Sequence, residues 1–163
     1  MRIAIGSDHA GFVLKQAVSN HLKILGHEAV DLGTFSLEVT DYPPVCAAVG
    51  REVTRGSCQM GVVMGGSGQG EQIAANKVKG VRAALCPDEY TAMLARKHND
   101  ANVCALGARV LAPEYALAIL DTFLPRPSRE DATPTGSLRS PISRKKRRNK
   151  ATWPVARCSG DRG

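Results

Sequence analysis

The first 124 residues alternate short apolar runs with stretches whose apolar positions recur at helical spacing. Arg2 to Gly6 is a short β-rich run. From Gly11 to Leu25, the residues Phe12, Leu14, Val18, Leu22 and Leu25 fall close to one helical face, and Gly26 stops it. Glu28 to Leu32 reads as a second strand. Thr34 to Pro44 reads as a loop closed by Asp41-Tyr42-Pro43-Pro44. Pro44 to Arg55 predicts a helix with Val45, Ala48, Val49 and Val53 inward, broken at Gly56-Ser57. Met60 to Met64 and Val81 to Leu85 are the third and fourth strands, with a helix start at Gln72 between them. Asp88 predicts a cap for a helix through His98, with Met93 and Leu94 inward. Val103 to Leu106 is the fifth strand. Ala112 to Leu124 is a last helix, with Ala116, Ile119, Leu120 and Phe123 inward. Parallel strands need crossover helices, so this alternation predicts an α/β fold with a five-stranded parallel sheet covered on both faces.

In such sheets ligands gather beyond the carboxyl ends of the strands. That rule selects Ser7-Asp8-His9, the loop Gly65-Gly66-Ser67-Gly68-Gln69-Gly70-Glu71, Cys86-Pro87-Asp88 and Gly107-Ala108-Arg109. The glycine-rich loop turns sharply out of a buried strand and exposes successive N–H groups beside a helix start. Such a nest suits an anion or a developing oxyanion. An acid at its rim would repel a bound phosphate. Glu71 makes sense there if the loop steadies an oxyanion while the carboxylate moves a proton. The loop is neither a Walker A motif, since no Lys-Ser/Thr follows it, nor G-x-G-x-x-G. Ser7 or Asp8 is a candidate helix cap, which leaves His9 unexplained. His98-Asn99-Asp100 reads either as a helix C-terminus or as a group approaching the same rim or a neighbouring subunit.

Composition changes the picture in two places. With 163 residues and 43% hydrophobic content the chain supports one domain with a real core, built from aliphatic residues because aromatics are only 4%. The net charge of +7 belongs wholly to the end of the chain: residues 1–125 balance at −1 and residues 126–163 at +8. No apolar run reaches membrane-spanning length and no signal-peptide core follows Met1. Cys46, Cys58, Cys86, Cys104 and Cys158 are odd in number and show no C-x-x-C spacing, so reduced thiols in a cytoplasmic protein are expected. The few His and Cys residues show no ligand spacing, so no metal is expected.

Taken together, Gly6-Ser7-Asp8-His9-Ala10-Gly11, Gly65 through Lys77, Arg96-Lys97-His98-Asn99-Asp100-Ala101-Asn102 and Gly107-Ala108-Arg109 resemble type B ribose-5-phosphate isomerases. The wider family includes galactose- and allose-6-phosphate isomerases. The resemblance runs from Met1 to about Leu124. It implies a Rossmann-like three-layer sandwich, no metal or other cofactor, and a homodimer or dimer of dimers. It implies that Asp8 and His9 bind sugar hydroxyls, and that the backbone from Gly66 through Ser67, Gly68 and Gln69 to Gly70 holds the enediolate oxygens. One branch of the family has a cysteine base where this chain has Gly65. This chain resembles the other branch, in which the glutamate at Glu71 is the base. By the same resemblance His98 donates the proton that opens the sugar ring, and Asn99 and Arg109 contact substrate, Arg109 at its phosphate.

The departure from the family lies at the end. Related chains carry an arginine-rich helical arm that reaches the partner subunit. Here that region reads Pro125-Arg126-Pro127-Ser128-Arg129-Glu130-Asp131-Ala132-Thr133-Pro134, and its prolines forbid such a helix. Residues 125–163 are therefore expected to form a separate, disordered basic tail, with the run Arg144-Lys145-Lys146-Arg147-Arg148-Asn149-Lys150 in it. Nucleic-acid binding through that run is one alternative function, but Trp153 alone provides no aromatic platform. An inactive partner subunit and an isomerase of six-carbon sugar phosphates are the others. Pro127 to Thr133 can be encoded by CCT TCG AGG GAG GAC GCC ACC. Skipping two bases gives TTC GAG GGA GGA CGC CAC, which reads Phe-Glu-Gly-Gly-Arg-His and resembles the start of the missing arm. A shifted reading frame past Leu124 is the expectation, against a lineage-specific extension.

Overall fold

The computed structural model describes residues 1–124. Five strands and five helices alternate: β1 (Arg2–Ser7), α1 (Phe12–Ile24), β2 (Glu28–Asp31), α2 (Tyr42–Thr54), β3 (Met60–Gly65), α3 (Gln69–Ala75), β4 (Ala83–Leu85), α4 (Glu89–Asn99), β5 (Val103–Gly107) and α5 (Pro113–Phe123). The strands pair in the order β2-β1-β3-β5-β4, all parallel. β3 is central, and all six of its residues are buried, as an unbroken apolar run between two neighbours requires. Strand alternation divides the core. Ile3, Ile5, Val62 and Met64 meet α1, α4 and α5 on one face. Ala4, Val63 and Ala105 meet α2 and α3 on the other. The expected α/β sandwich is therefore the observed one, with β1 and β3 at the point where the connections diverge.

Several boundaries differ from the sequence reading. α2 begins at Tyr42, earlier than expected, because its two prolines occupy the first turn, where a missing N–H leaves no bond unmade. α3 begins at Gln69, so Glu71 lies in the first helical turn. β4 is only three residues long; Val81 is held in a turn by Val78 O, and Arg82 N–H donates to Asn102 Oδ1. Asp88 does cap α4, accepting from Thr91 N–H at 2.7 Å. The inward stripe of α4 is Ala92 and Ala95, not Met93, which is exposed, or Leu94, which is half-buried. Small residues take that stripe because α4 packs closely against α5. Four of the cysteines, Cys46, Cys58, Cys86 and Cys104, are free and buried. Among the described residues no helix is long and apolar enough to cross a membrane. The expected boundary after Leu124, the tail, its basic run and Cys158 lie outside the described residues.

Candidate active site

Beyond the carboxyl ends of β1, β3 and β5, a pocket of about 480 Å³ is lined by Asp8, Tyr42, Gly66, Ser67, Gly70, Glu71, Arg109 and Val110. The glycine loop is pinned against the end of β5. Ala108 N–H donates to Gly65 O at 2.8 Å, and Arg109 N–H to Gly66 O at 3.0 Å. Gly68 takes a left-handed φ of 78°, and an added Cβ there would meet the backbone of Leu106 and Gly107 at 3.0–3.1 Å. Only glycine satisfies both demands. Among the described residues no backbone carbonyl accepts from the N–H groups of Gly66 and Ser67. These are free donors at the pocket wall.

The Glu71 carboxylate is buried, at 3% exposure, in the space that a side chain at position 65 would need. A Cβ built on Gly65 overlaps Glu71 Oε1 and Cδ. Burial pushes the Glu71 carboxyl above its usual range. The backbone N–H groups of Glu71 and Gly68 pull the other way, and the charge of Asp8 pushes up again. Asp8 is itself buried and spends one oxygen on Gly11 N–H at 2.8 Å, so it anchors the turn into α1 without being the residue next to the helix. His9 follows at the rim, its Nδ1 3.3 Å from Thr40 N and 3.4 Å from Thr40 O. Arg109 is exposed and lies over Gly66, with its Cδ 3.6 Å from the position of a Gly66 Cβ; it has no ion-pair partner among the described residues.

Two residues at this site were not singled out from the sequence. Tyr42 opens α2 and lays its phenol ring against Gly70; a Cβ there would be 2.8 Å from the ring. The tyrosine carried no motif, although its place just before two prolines marks a helix start facing the ligand end. Cys46, one turn later, has its thiol pushed up to about 12, by burial first and then by the charges of Glu71 and Asp8. A thiol so held stays protonated and is no nucleophile.

His98 and Asn99 do not join this pocket within one chain. A crossover helix after β4 must run back to the start of β5, so α4 ends at the amino edge of the sheet. There the Asp100 carboxylate and carbonyl both accept from Arg82, just before β4. Glu71 stands past the opposite edge, beyond the carboxyl end of β3, and neither His98 nor Asn99 lines its pocket. Asn99 instead lines a cleft of about 600 Å³ on the free side of β4, with Gln72, Asn76, Arg82 and Thr91. That cleft is the larger of the two, but it contains no carboxylate or imidazole.

A buried carboxylate whose pKa is raised, backbone donors beside it and an arginine without an ion-pair partner among the described residues are the groups that acid–base chemistry on a small anion would use. The sequence profile of the Ribose/Galactose Isomerase family matches residues 3–135. That range continues past α5. Ribose-5-phosphate isomerase B of Mycolicibacterium paratuberculosis is 48% identical over 128 residues, covering 78% of this chain and 80% of that protein. Among solved structures, Clostridium thermocellum ribose-5-phosphate isomerase B superposes with a TM-score of 0.75 at 48% identity, covering 76% of this chain and 83% of that one. The Mycoplasma genitalium enzyme with bound ribulose-5-phosphate does so with a TM-score of 0.72 at 42% identity, covering 75% and 82%. The chain belongs to the ribose/galactose isomerase family.

Proposed function

We infer that this chain interconverts ribose 5-phosphate and ribulose 5-phosphate through a cis-enediolate, with Glu71 as the base. The observation that carries this reading is the Glu71 carboxylate seated in the space left by Gly65, beside the free N–H groups of Gly66 and Ser67. Aldose–ketose isomerisation removes a weakly acidic proton from C2 and returns it to C1. A carboxylate is a weak base, so the enediolate oxygens need preorganised donors, each contributing roughly 3 kcal/mol. One carboxylate can carry the proton both ways, and its raised pKa brings it closer to the demands of each transfer. Asp8 and His9 bind hydroxyls, the rest of the loop including Gly68, Gln69 and Gly70 shapes the oxyanion site, and Arg109 takes the phosphate. The relatives named ribose-5-phosphate isomerase B favour the five-carbon substrate.

The separation of His98 and Asn99 from Glu71 favours a homodimer in which each site is completed by a second copy. His98 of that copy would then open the furanose ring, a proton transfer suited to imidazole near neutral pH. The half-buried Ala47 and Ala48 are available for close contact, whereas Ala74 packs against the core of its own chain and Ala75 lies within it. Buried, unpaired thiols fit a cytoplasmic protein. The test is isomerase assay of the wild type and Glu71→Gln in deuterated water. The variant is expected to lose about 100-fold or more in kcat with little change in KM, and to lose solvent-deuterium incorporation into the sugar. Near-normal turnover in the variant contradicts the assignment.

A further inference from the structure

Lys15 is buried at 1% exposure, one of the four buried polar or charged residues described, on the same face of α1 as Leu14, Val18 and Leu22. Its Nζ donates to Asp31 Oδ1 at 2.6 Å and to Thr34 O at 2.5 Å. It also lies 4.9 Å from the ring centroid of Phe35 and 5.6 Å from that of Phe12. Taking an ammonium out of water is costly even when it is paired, and an apolar residue would cover the same surface more cheaply. What an apolar residue cannot do is grip two oxygens of the segment after β2. Asp31 Oδ1 accepts from Gly33 N–H as well, at 2.9 Å, so one ion pair fixes the backbone on both sides of Leu32.

That segment has little else to hold it. Phe35, Leu37 and Val39 are 72%, 65% and 87% exposed, so the loop from Gly33 to Thr40 is not anchored by core packing. Its attachments are polar, and they lead to the site. Ser7 N–H donates to Gly33 O at 2.7 Å and Thr34 N–H to Ser7 O at 2.8 Å, immediately before Asp8 and His9. Thr34 Oγ1 meets Thr40 Oγ1 at 3.3 Å, and the Thr40 backbone meets His9 Nδ1. Two residues further on, Tyr42 lies against Gly70.

We propose that Lys15 is a positioning residue for the substrate rim: by gripping Asp31 and the Thr34 carbonyl it holds the 33–40 loop against the end of β1, so that Thr40 fixes the His9 ring and Tyr42 is delivered to the glycine loop. The inference rests on the isomerase reading for its kinetic consequence and on geometry alone for its effect on His9. Lys15→Met keeps the length and apolar stem and removes the grip. In the folded variant the KM for ribose 5-phosphate is expected to rise about tenfold while kcat changes by less than about threefold. The nitrogen and proton chemical shifts of the His9 ring are expected to change as its contact with Thr40 loosens, and the Thr40 amide to exchange faster. Leu22→Ala, on the same helix face at its far end, is the control: it lowers Tm but leaves KM and the His9 signals as they are. If Lys15→Met does not fold, Thr34→Val removes only the Oγ1 link and is expected to move the His9 signals and KM in the same direction. Unchanged His9 signals with wild-type KM in a folded Lys15→Met or, failing that, in Thr34→Val overturn the proposal. An inactive wild type defeats the isomerase reading instead, while the His9 signals still decide the role of Lys15.

Discussion

At Gly65 a single added carbon would overlap the Glu71 carboxylate, so position 65 and position 71 are one choice made twice. Gly65→Ala leaves φ and ψ possible but drives the carboxylate out of its seat. Activity is expected to fall about 100-fold or more with the protein still folded, and steady-state kinetics beside circular dichroism checks this. The same burial has a cost in stability. The Glu71 pKa is raised in the folded chain, chiefly by desolvation. The stabilising contribution of the protonated carboxyl is therefore complete below the unfolded pKa and lost as pH rises through the folded one. At neutral pH the native state holds a buried charge that the unfolded chain would place in water. Glu71→Gln is expected to raise Tm at neutral pH, with the gain shrinking as the pH falls below the raised value. Thermal melts across that range read it directly; a lower Tm at neutral pH contradicts the burial argument. Glu71 was legible in the sequence because an acid beside a glycine nest is chemically odd. Lys15 was not, since a charged residue on an amphipathic helix reads as solvated, and only the structure shows the two oxygens it reaches.

Among the elements, the strands were the easiest to see. β1, β3 and β5 are apolar runs that end in glycine or small polar residues, and parallel burial leaves them no other pattern. The helix starts were harder. α2 hides its first turn behind two prolines that look like a loop, and α3 folds part of the glycine loop into its own first turn. The inward stripe of α4 is the small pair Ala92 and Ala95 rather than the bulkier Met93 and Leu94, because side-chain volume alone does not mark the buried face of a closely packed helix. Its cap was legible: Asp88 precedes the helix and accepts from Thr91 N–H at 2.7 Å. Asp88→Ala is expected to cost about 1 kcal/mol of stability, measured by denaturant midpoint, with KM unaffected because the cap is structural. The position of the far end of α4 follows from topology alone. A helix between β4 and β5 has to finish at the amino edge of the sheet, which already removes His98 from the Glu71 end of its own chain.

For the whole molecule, the proposed mechanism needs a second copy to bring His98 to Glu71, and the sequence after Leu124 does not read as the arm that the family resemblance implies. Sequencing the coding DNA past Leu124 tests the shifted frame: an alternative frame there is expected to encode an arm beginning Phe-Glu-Gly-Gly-Arg-His, and restoring it is expected to lower KM for the sugar phosphate. The absence of any such reading removes the idea. The most direct measurement of the central claim, that Glu71 of one copy works with His98 of another, is complementation. Glu71→Gln and His98→Asn are purified separately, each with little activity on ribose 5-phosphate, and then mixed and allowed to exchange subunits. If the site spans two copies, about half of the dimers become mixed and each carries one intact site, so activity is expected to recover to roughly a quarter of the wild-type rate. Verified subunit exchange with no recovery would contradict a site shared in this way.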